Sequence, residues 1–394
     1  MRILFVIGNL GDYHVPRYEA LVRLALSRGD DVSLVEVFGK SGVYEFPQDR
    51  REKFFSDRPA HTVTLLADAG EADGHGLKVS LRLCAVVRKF KPDVVVTLGY
   101  STSYSICLCV LKMASERFSL IYMSDSKADD GKRNAVKEWL KRQLVSRFDG
   151  ALVAGEKHRA YARSLGIPME RSRVGFDVID VEYFARLSRA ACANVHEVRA
   201  RHQLPQRYVL CVSRFVERKN VDLVIEAYAK SGLDVANVSL VLVGQGPDEQ
   251  KVVEQIRQRG LESRVVILGS MANQEMPSLY ACAEFVVLAS QFDQWGLCIN
   301  EAFAAGRPAI VTRTCGVADE LVLDDINGFV VEPGDVATLA HRIRLLGTDT
   351  ALRERFAHNA VSLIQNWTPL LFAENLMDLA ESLTGTAGRT RDVR

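Results

Sequence analysis

The chain has 394 residues, 48% of them hydrophobic, with 50 Lys and Arg against 49 Asp and Glu. That length exceeds what one small core holds and points to two domains. A formal net charge of +1 excludes nucleic acid or an anionic membrane held by a global basic field, and leaves only local patches.

The opening run MRILFVIGNL is apolar but far shorter than the roughly 18 residues of a membrane span. It lacks the small-residue cleavage site of a signal peptide and reads as a first buried strand. No other segment is long and apolar enough to cross a bilayer, so a cytoplasmic protein is the expectation. A strand-helix rhythm follows. Short β-branched runs (RILFVIG, DVSLVEV, PDVVVTLG, FSLIYMS, GALVAG) alternate with amphipathic segments such as Pro16–Ser27 and Asn134–Arg147. A second series begins near Arg207 with RYVLCVSR, VSLVLVG, RVVILG, AEFVVLAS and RPAIVT. Strands apolar on both faces, alternating with helices, indicate parallel sheets covered on both sides. The fold class is therefore α/β, with two Rossmann-like, doubly wound parallel-sheet domains facing a cleft.

The linker region lies between Gly166 and Gln206. The expected domains are 1–185, 186–368, a last helix at 369–384 free to cross back to the first domain, and a mobile tail at 385–394. The eight cysteines, at 84, 107, 109, 192, 211, 282, 298 and 315, form no CxxC pair and read mainly as buried free thiols.

Ligands of open parallel sheets sit off the carboxyl ends of the strands, so the loops there carry the chemistry. SRFVERKN follows the strand YVLCV. Arg214 offers a planar fork of donors and Lys219 a point charge, a pair suited to a diphosphate; alone, a solvated charge cluster is the simpler account. LVGQGPDEQ ends a strand in Gly244 and Gly246, which permit close backbone approach, but it lacks the third glycine of a dinucleotide fingerprint. In SQFDQWGLCINEAFAAGRPAI a helix begins near Gly296. The free amides of Gly296, Leu297 and Cys298 then make an anion site. Glu301 lies one turn in and Asp293 in the preceding loop. Both carboxylates suit sugar hydroxyls, with helix capping and a salt bridge as the alternative.

Together, Arg-x4-Lys, GxGP, D-x7-E, AFAAGRPAIVT and DDINGFVVEPGD resemble the retaining glycosyltransferases of family 4, across roughly 207–340. The resemblance implies a GT-B fold and a nucleotide diphosphate sugar as donor, UDP-sugar first and guanosine behind it. It implies that Arg214 and Lys219 bind the diphosphate and Glu301 the ribose. Asp293 would touch the transferred sugar, and the amides of Gly296 and Leu297 would also meet the donor. No metal or other cofactor is expected, since no DxD triplet is present and cations with a helix dipole stabilise the leaving diphosphate. The family's usual Glu is Asp293 here, shorter by one methylene. Trp295 either packs beneath the donor or fills the interdomain edge.

The resemblance makes the first half the acceptor side. In GNLGDYHVPRYEAL, Gly8 and Gly11 would let the backbone approach the donor phosphate. Asp12 and His14 would face an acceptor hydroxyl, or His14 would cap the helix begun by Pro16. In SDSKADDGKR, Asp125 stands where many relatives have an acidic residue after histidine, and the run Lys127–Arg133 is either a mobile lip or a charged surface turn. Capping is the simpler account of Glu156, which begins the helix after GALVAG together with His158. The partners expected are a nucleotide sugar and a hydroxyl-bearing acceptor, with no nucleic acid. Contact with the inner face of a membrane stays open through Arg133, Lys137, Lys141 and Arg142, whose simpler account is a solvated face. A nucleotide-sugar epimerase, a phosphorylase and an inactive sugar-nucleotide-binding subunit are the alternatives. The base, sugar, acceptor and oligomeric state are not readable from the residues.

Overall fold

The structure, a computed structural model, describes residues 1–41, 48–57, 61–115, 118–131 and 133–385. The expected tail thus falls almost wholly outside the described residues. The chain divides into two compact units. The first takes the described residues of 1–128, 133–178 and 369–385, and the second takes Asp129–Gly131 and Ile179–Thr368.

In the first unit the elements alternate as β1 (Arg2–Ile7), α1 (His14–Ser27), β2 (Asp31–Phe38), α2 (Asp49–Ser56), β3 (Thr62–Leu66), α3 (Gly76–Phe90), β4 (Val94–Leu98), α4 (Ser103–Ser115), β5 (Ser119–Ser124), α5 (Ala135–Val145), β6 (Gly150–Val153), α6 (Glu156–Ser164) and β7 (Ser172–Arg173). Among the described residues the strands form one parallel sheet in the order β3-β2-β1-β4-β5-β6-β7. The direction of winding reverses between β1 and β4. Strands β1, β4 and β5 bury both faces, as their unbroken apolar runs require.

The second unit holds α7 (Val181–Ala193), α8 (Val195–His202), β8 (Tyr208–Val212), α9 (Val221–Ser231), β9 (Ser239–Val243), α10 (Glu249–Gln258), β10 (Val265–Ile267), α11 (Met276–Cys282), β11 (Phe285–Leu288), α12 (Leu297–Ala304), β12 (Ala309–Thr312), β13 (Gly328–Val331), α13 (Val336–Thr348) and α14 (Thr350–Ile364). Its parallel sheet runs β10-β9-β8-β11-β12-β13, reversing between β8 and β11. The last helix, α15 (Pro369–Thr384), packs on α1 and on the β5–β7 edge of the first unit.

The boundary expected at 185–186 would cut α7. The chain divides instead between Val178 and Ile179, because α7 packs on α11 and α12 of the second unit. On the near side of that boundary, the buried Arg17 holds the chain end in place. Its Nε and Nη2 donate to the Val178 carbonyl at 3.0 and 2.8 Å, and its guanidinium lies over the Phe176 ring. Three further differences are local. Helix α1 starts at His14, two residues before Pro16. Lys127 is fully buried, not part of a surface lip, and Arg133 donates to the carbonyls of Lys127 and Ala128. The N-terminus of α6 is capped by His158, whose Nδ1 accepts the Gly155 amide at 3.2 Å, while Glu156 pairs with Arg159. All eight cysteines are unpaired; most are buried or half-buried, and Cys192 is exposed.

Candidate functional site

The winding reversal of the second sheet sets the site. At such a switch point two neighbouring strands send their loops apart, leaving a crevice at the carboxyl ends. Here the two loops are Ser213–Asn220 after β8 and Ser290–Gly296 after β11. They carry the four charged residues expected from sequence or lead directly into them.

Arg214 leaves β8 exposed. Among the described residues its side chain makes no ion pair or hydrogen bond. Lys219 closes a short turn after it and is held differently: its ammonium is bonded to Asp293 of the other loop. Arg218 stands 3.9 Å from the same carboxylate, and Ser290 Oγ donates to it at 3.3 Å. Asp293 is thus the anchor that ties the two switch-point loops together. Its backbone is pinned as well, by the loop after β12: the Asp293 amide donates to Thr314 O and its carbonyl accepts from Gly316.

Three residues on, Gly296 takes φ +115° and caps α12. A Cβ there would be strained by that conformation and would press on Leu288 Cδ2 at 2.8 Å, so a side chain fits only if Leu288 shifts. The helix then presents the amides of its first turn at the mouth. Cys298, in that turn, has its thiol pushed well up by burial, then by the Asp293 carboxylate, with Lys219 opposing and Glu301 adding. Lys219, Asp293 and Glu301 therefore share one electrostatic neighbourhood at the start of α12. Glu301 is buried and accepts a hydrogen bond from Tyr280 Oη at 2.6 Å.

Gly244 and Gly246 are required by the packing of the unit itself. A Cβ on Gly244 would lie 1.9 Å from Ser213 O, and one on Gly246 2.3 Å from Phe215 O. The glycines let the β9 loop dovetail with the loop that carries Arg214. Trp295 fits neither expectation. It is buried within the second unit, against Trp367 at 5.2 Å between ring centroids, and its Nε1 donates to Asn300.

In the first unit the loop after β1 also lies at a switch point, but its groups are largely engaged. The Gly8 carbonyl accepts the Phe38 amide at 2.7 Å, and the Gly11 carbonyl accepts from His14 and Val15 at the start of α1. Asp12 is buried and accepts the Arg51 amide at 3.1 Å; burial raises its carboxyl above the usual range. His14 is half-buried, stacks on Phe176, and sits 3.4 Å from Arg17 Nη1. Burial, then Arg17, lowers its imidazole well below the usual value, so it is neutral near pH 7. Asp125 is half-buried just beyond β5.

One organiser was not singled out from sequence. Glu36, fully buried at the carboxyl end of β2, accepts from Arg51 Nε and Nη2 (both 2.9 Å), Thr64 Oγ1 (3.0 Å), the Leu10 amide (3.0 Å) and Asn9 Nδ2 (3.3 Å). It fixes the Gly8–Asp12 loop from below. The available signal was a carboxylate inside the apolar run LVEVF.

Residues 195–362 match the family of glycosyl transferases group 1, a stretch that contains both switch-point loops. The second unit carries a glycosyl transferases group 1 domain. Among curated relatives, α-D-kanosaminyltransferase of Streptomyces kanamyceticus is 31% identical over 58% of this chain and 58% of its own. N-acetyl-α-D-glucosaminyl L-malate synthase of Bacillus anthracis is 30% identical over 39% of this chain and 40% of its own. The chain thus spans well under two thirds of these relatives' length. Among solved structures, Anabaena HepE in complex with UDP superposes with a TM-score of 0.74 at 19% identity, covering 97% of this chain and 100% of that one. Sucrose-phosphate synthase of Thermosynechococcus elongatus does so with 0.75 at 17%, covering 98% and 100%. The likeness spans both units and makes the fold GT-B, with the group 1 domain as its second half.

Proposed function

We propose that the chain is a retaining, metal-independent glycosyltransferase that moves a sugar from a nucleotide diphosphate sugar to an acceptor hydroxyl. The observation that carries this reading is the pairing of Lys219 with Asp293 across the switch-point crevice, beside the unpaired Arg214 and the first turn of α12. The loop that carries both cations and the N-terminus of α12 border one crevice, which suits the departure of a nucleoside diphosphate. Glu301 would hold the ribose and Asp293 the transferred sugar, by the family resemblance. Retention would follow from same-face attack, the leaving phosphate taking the acceptor's proton. UDP is the first nucleotide to test, since the HepE complexes hold UDP and UDP-glucose.

The experiment is a thermal-shift screen against nucleotides and nucleotide sugars, followed by release of free nucleotide with hydroxyl acceptors, with and without EDTA. A nucleotide that binds only the folded state raises its melting temperature. Turnover should survive EDTA. Lys219→Ala should fold normally and lose about a hundredfold or more in turnover, as removal of a preorganised transition-state contact does. Near-normal turnover in that variant would remove Lys219 from the diphosphate site. Binding without turnover across a broad acceptor panel would favour an inactive sugar-nucleotide-binding subunit.

A further inference from the structure

The first sheet has two faces of opposite character. Right-handed crossovers put α1 and α2 on one side, where α15 packs beside α1 over β5–β7, and α3, α4 and α5 on the other. Among the described residues no further helix of the unit covers α3, α4 and α5, and their outer surface is apolar where solvent meets it. Helix α5 exposes Val136, Trp139 and Leu140, spaced i, i+3, i+4; α4 exposes Ile106, Val110 and Met113, spaced i, i+4, i+7. Leu77 and Leu81 continue the pattern on α3. All eight are between 44% and 79% exposed. Single exposed apolar residues need no account, but eight on three neighbouring helices do.

The charge on those helices is one-sided. Their sequences hold eight Lys and Arg (four on α3, one on α4, three on α5) and a single carboxylate, Glu138, a formal excess of seven positive charges. The whole chain carries +1, so the remainder is net negative by six. Glu138 is itself neutralised by Lys141 at 2.8 Å and Arg133 at 3.1 Å. Of the nearby loop carboxylates, Asp149 is taken by Lys112.

We propose that this face docks on an anionic lipid bilayer. Apolar side chains at the helix surface enter the headgroup region, with Trp139 as the interfacial aromatic, and the exposed Lys78, Arg88, Lys89, Lys137 and Arg142 meet the lipid phosphates, Lys112 and Lys141 being held by Asp149 and Glu138. A second copy of the chain fits less well, because a twofold contact would bring two strongly positive faces together. The docking surface is separate from the crevice of the second unit, and its test reads partition, not turnover.

Purified protein is sedimented with vesicles of phosphatidylcholine alone, or mixed with phosphatidylglycerol, while tryptophan emission is followed. Of the three tryptophans, Trp139 is exposed, Trp295 is buried and Trp367 is half-buried against it, so a blue shift on binding reports Trp139. Binding to the anionic vesicles, a blue shift, and release by salt are expected. Trp139→Ala with Leu140→Gln should lower the partition at least about tenfold. Lys137→Ala should lower it about fivefold. Circular dichroism melts should match the parent, since all three side chains are exposed. Absence of vesicle binding overturns the proposal, as does equal binding to both compositions. So does a dimer in sedimentation velocity that the Trp139 and Leu140 changes split while vesicle binding is absent.

Discussion

Asp293 occupies an unusual place for a residue expected to meet a sugar. One of its oxygens is bonded to Lys219, and Arg218 and Ser290 face the same carboxylate. Under the proposed function, an incoming diphosphate would share Lys219 with an anion already there. Two like charges about 6 Å apart at a protein surface repel by roughly 1–2 kcal/mol, or about a tenfold change in affinity. Asp293→Asn should accordingly bind UDP about tenfold more tightly while turning over more slowly, because the proposed sugar contact loses its charged acceptor. Calorimetric titration with UDP decides the first half; unchanged or weaker binding would mean that Asp293 does not compete for the cation. Arg214 differs in having no side-chain partner among the described residues, so its guanidinium is available without displacing any of them.

At the scale of elements, the loop after β8 is shaped by its neighbour. Gly244 has φ +141°, and a Cβ there would press on the Ser213 carbonyl, which is backbone and cannot step aside. Gly334 has φ +82° but open space around it. Alanine at Gly334 should cost about 1 kcal/mol, the ordinary penalty of positive φ. Alanine at Gly244 adds a clash to the strain and should cost about 3 kcal/mol or more, roughly 6–12 °C in the melting of the second unit. Calorimetry on the two variants separates strain from clash; equal effects would show that the loops move apart easily. This contrast also marks what sequence conveys. The main strands were legible because buried parallel strands are apolar without interruption. Strand β3 was not, since TVTLL is only half buried and reads like a loop edge. The GxGP glycines were legible as close-approach positions, but what they approach is the chain's own backbone, which no spacing reveals. What Trp295 and Glu36 pack against was not readable for the same reason: their partners, Trp367 and Arg51, are fixed by tertiary packing rather than by sequence distance.

At the scale of the molecule, the first unit is completed by the last helix of the chain. Phe372, Leu376, Met377 and Leu379 of α15 are fully buried, Phe372 meeting Phe5 at 6.4 Å between ring centroids. Polar ties flank them: Asn375 donates to Val174 O at 3.0 Å, and Arg28 and Arg173 pair with Glu381 and Asp378 at 2.7 Å each. The ion pairs are exposed and add little. The four apolar side chains, at about 1.5–3 kcal/mol each, contribute on the order of 6–12 kcal/mol. That is comparable to the whole net stability of a domain, about 5–15 kcal/mol. A chain ending at Thr368 should therefore lose the calorimetric transition of the first unit while keeping that of the second, which α15 does not complete. Leu376→Ala with Met377→Ala should lower the first transition without abolishing it. If truncation leaves both transitions in place, α15 is an accessory strap, and the first sheet closes its core with α1 and α2 alone.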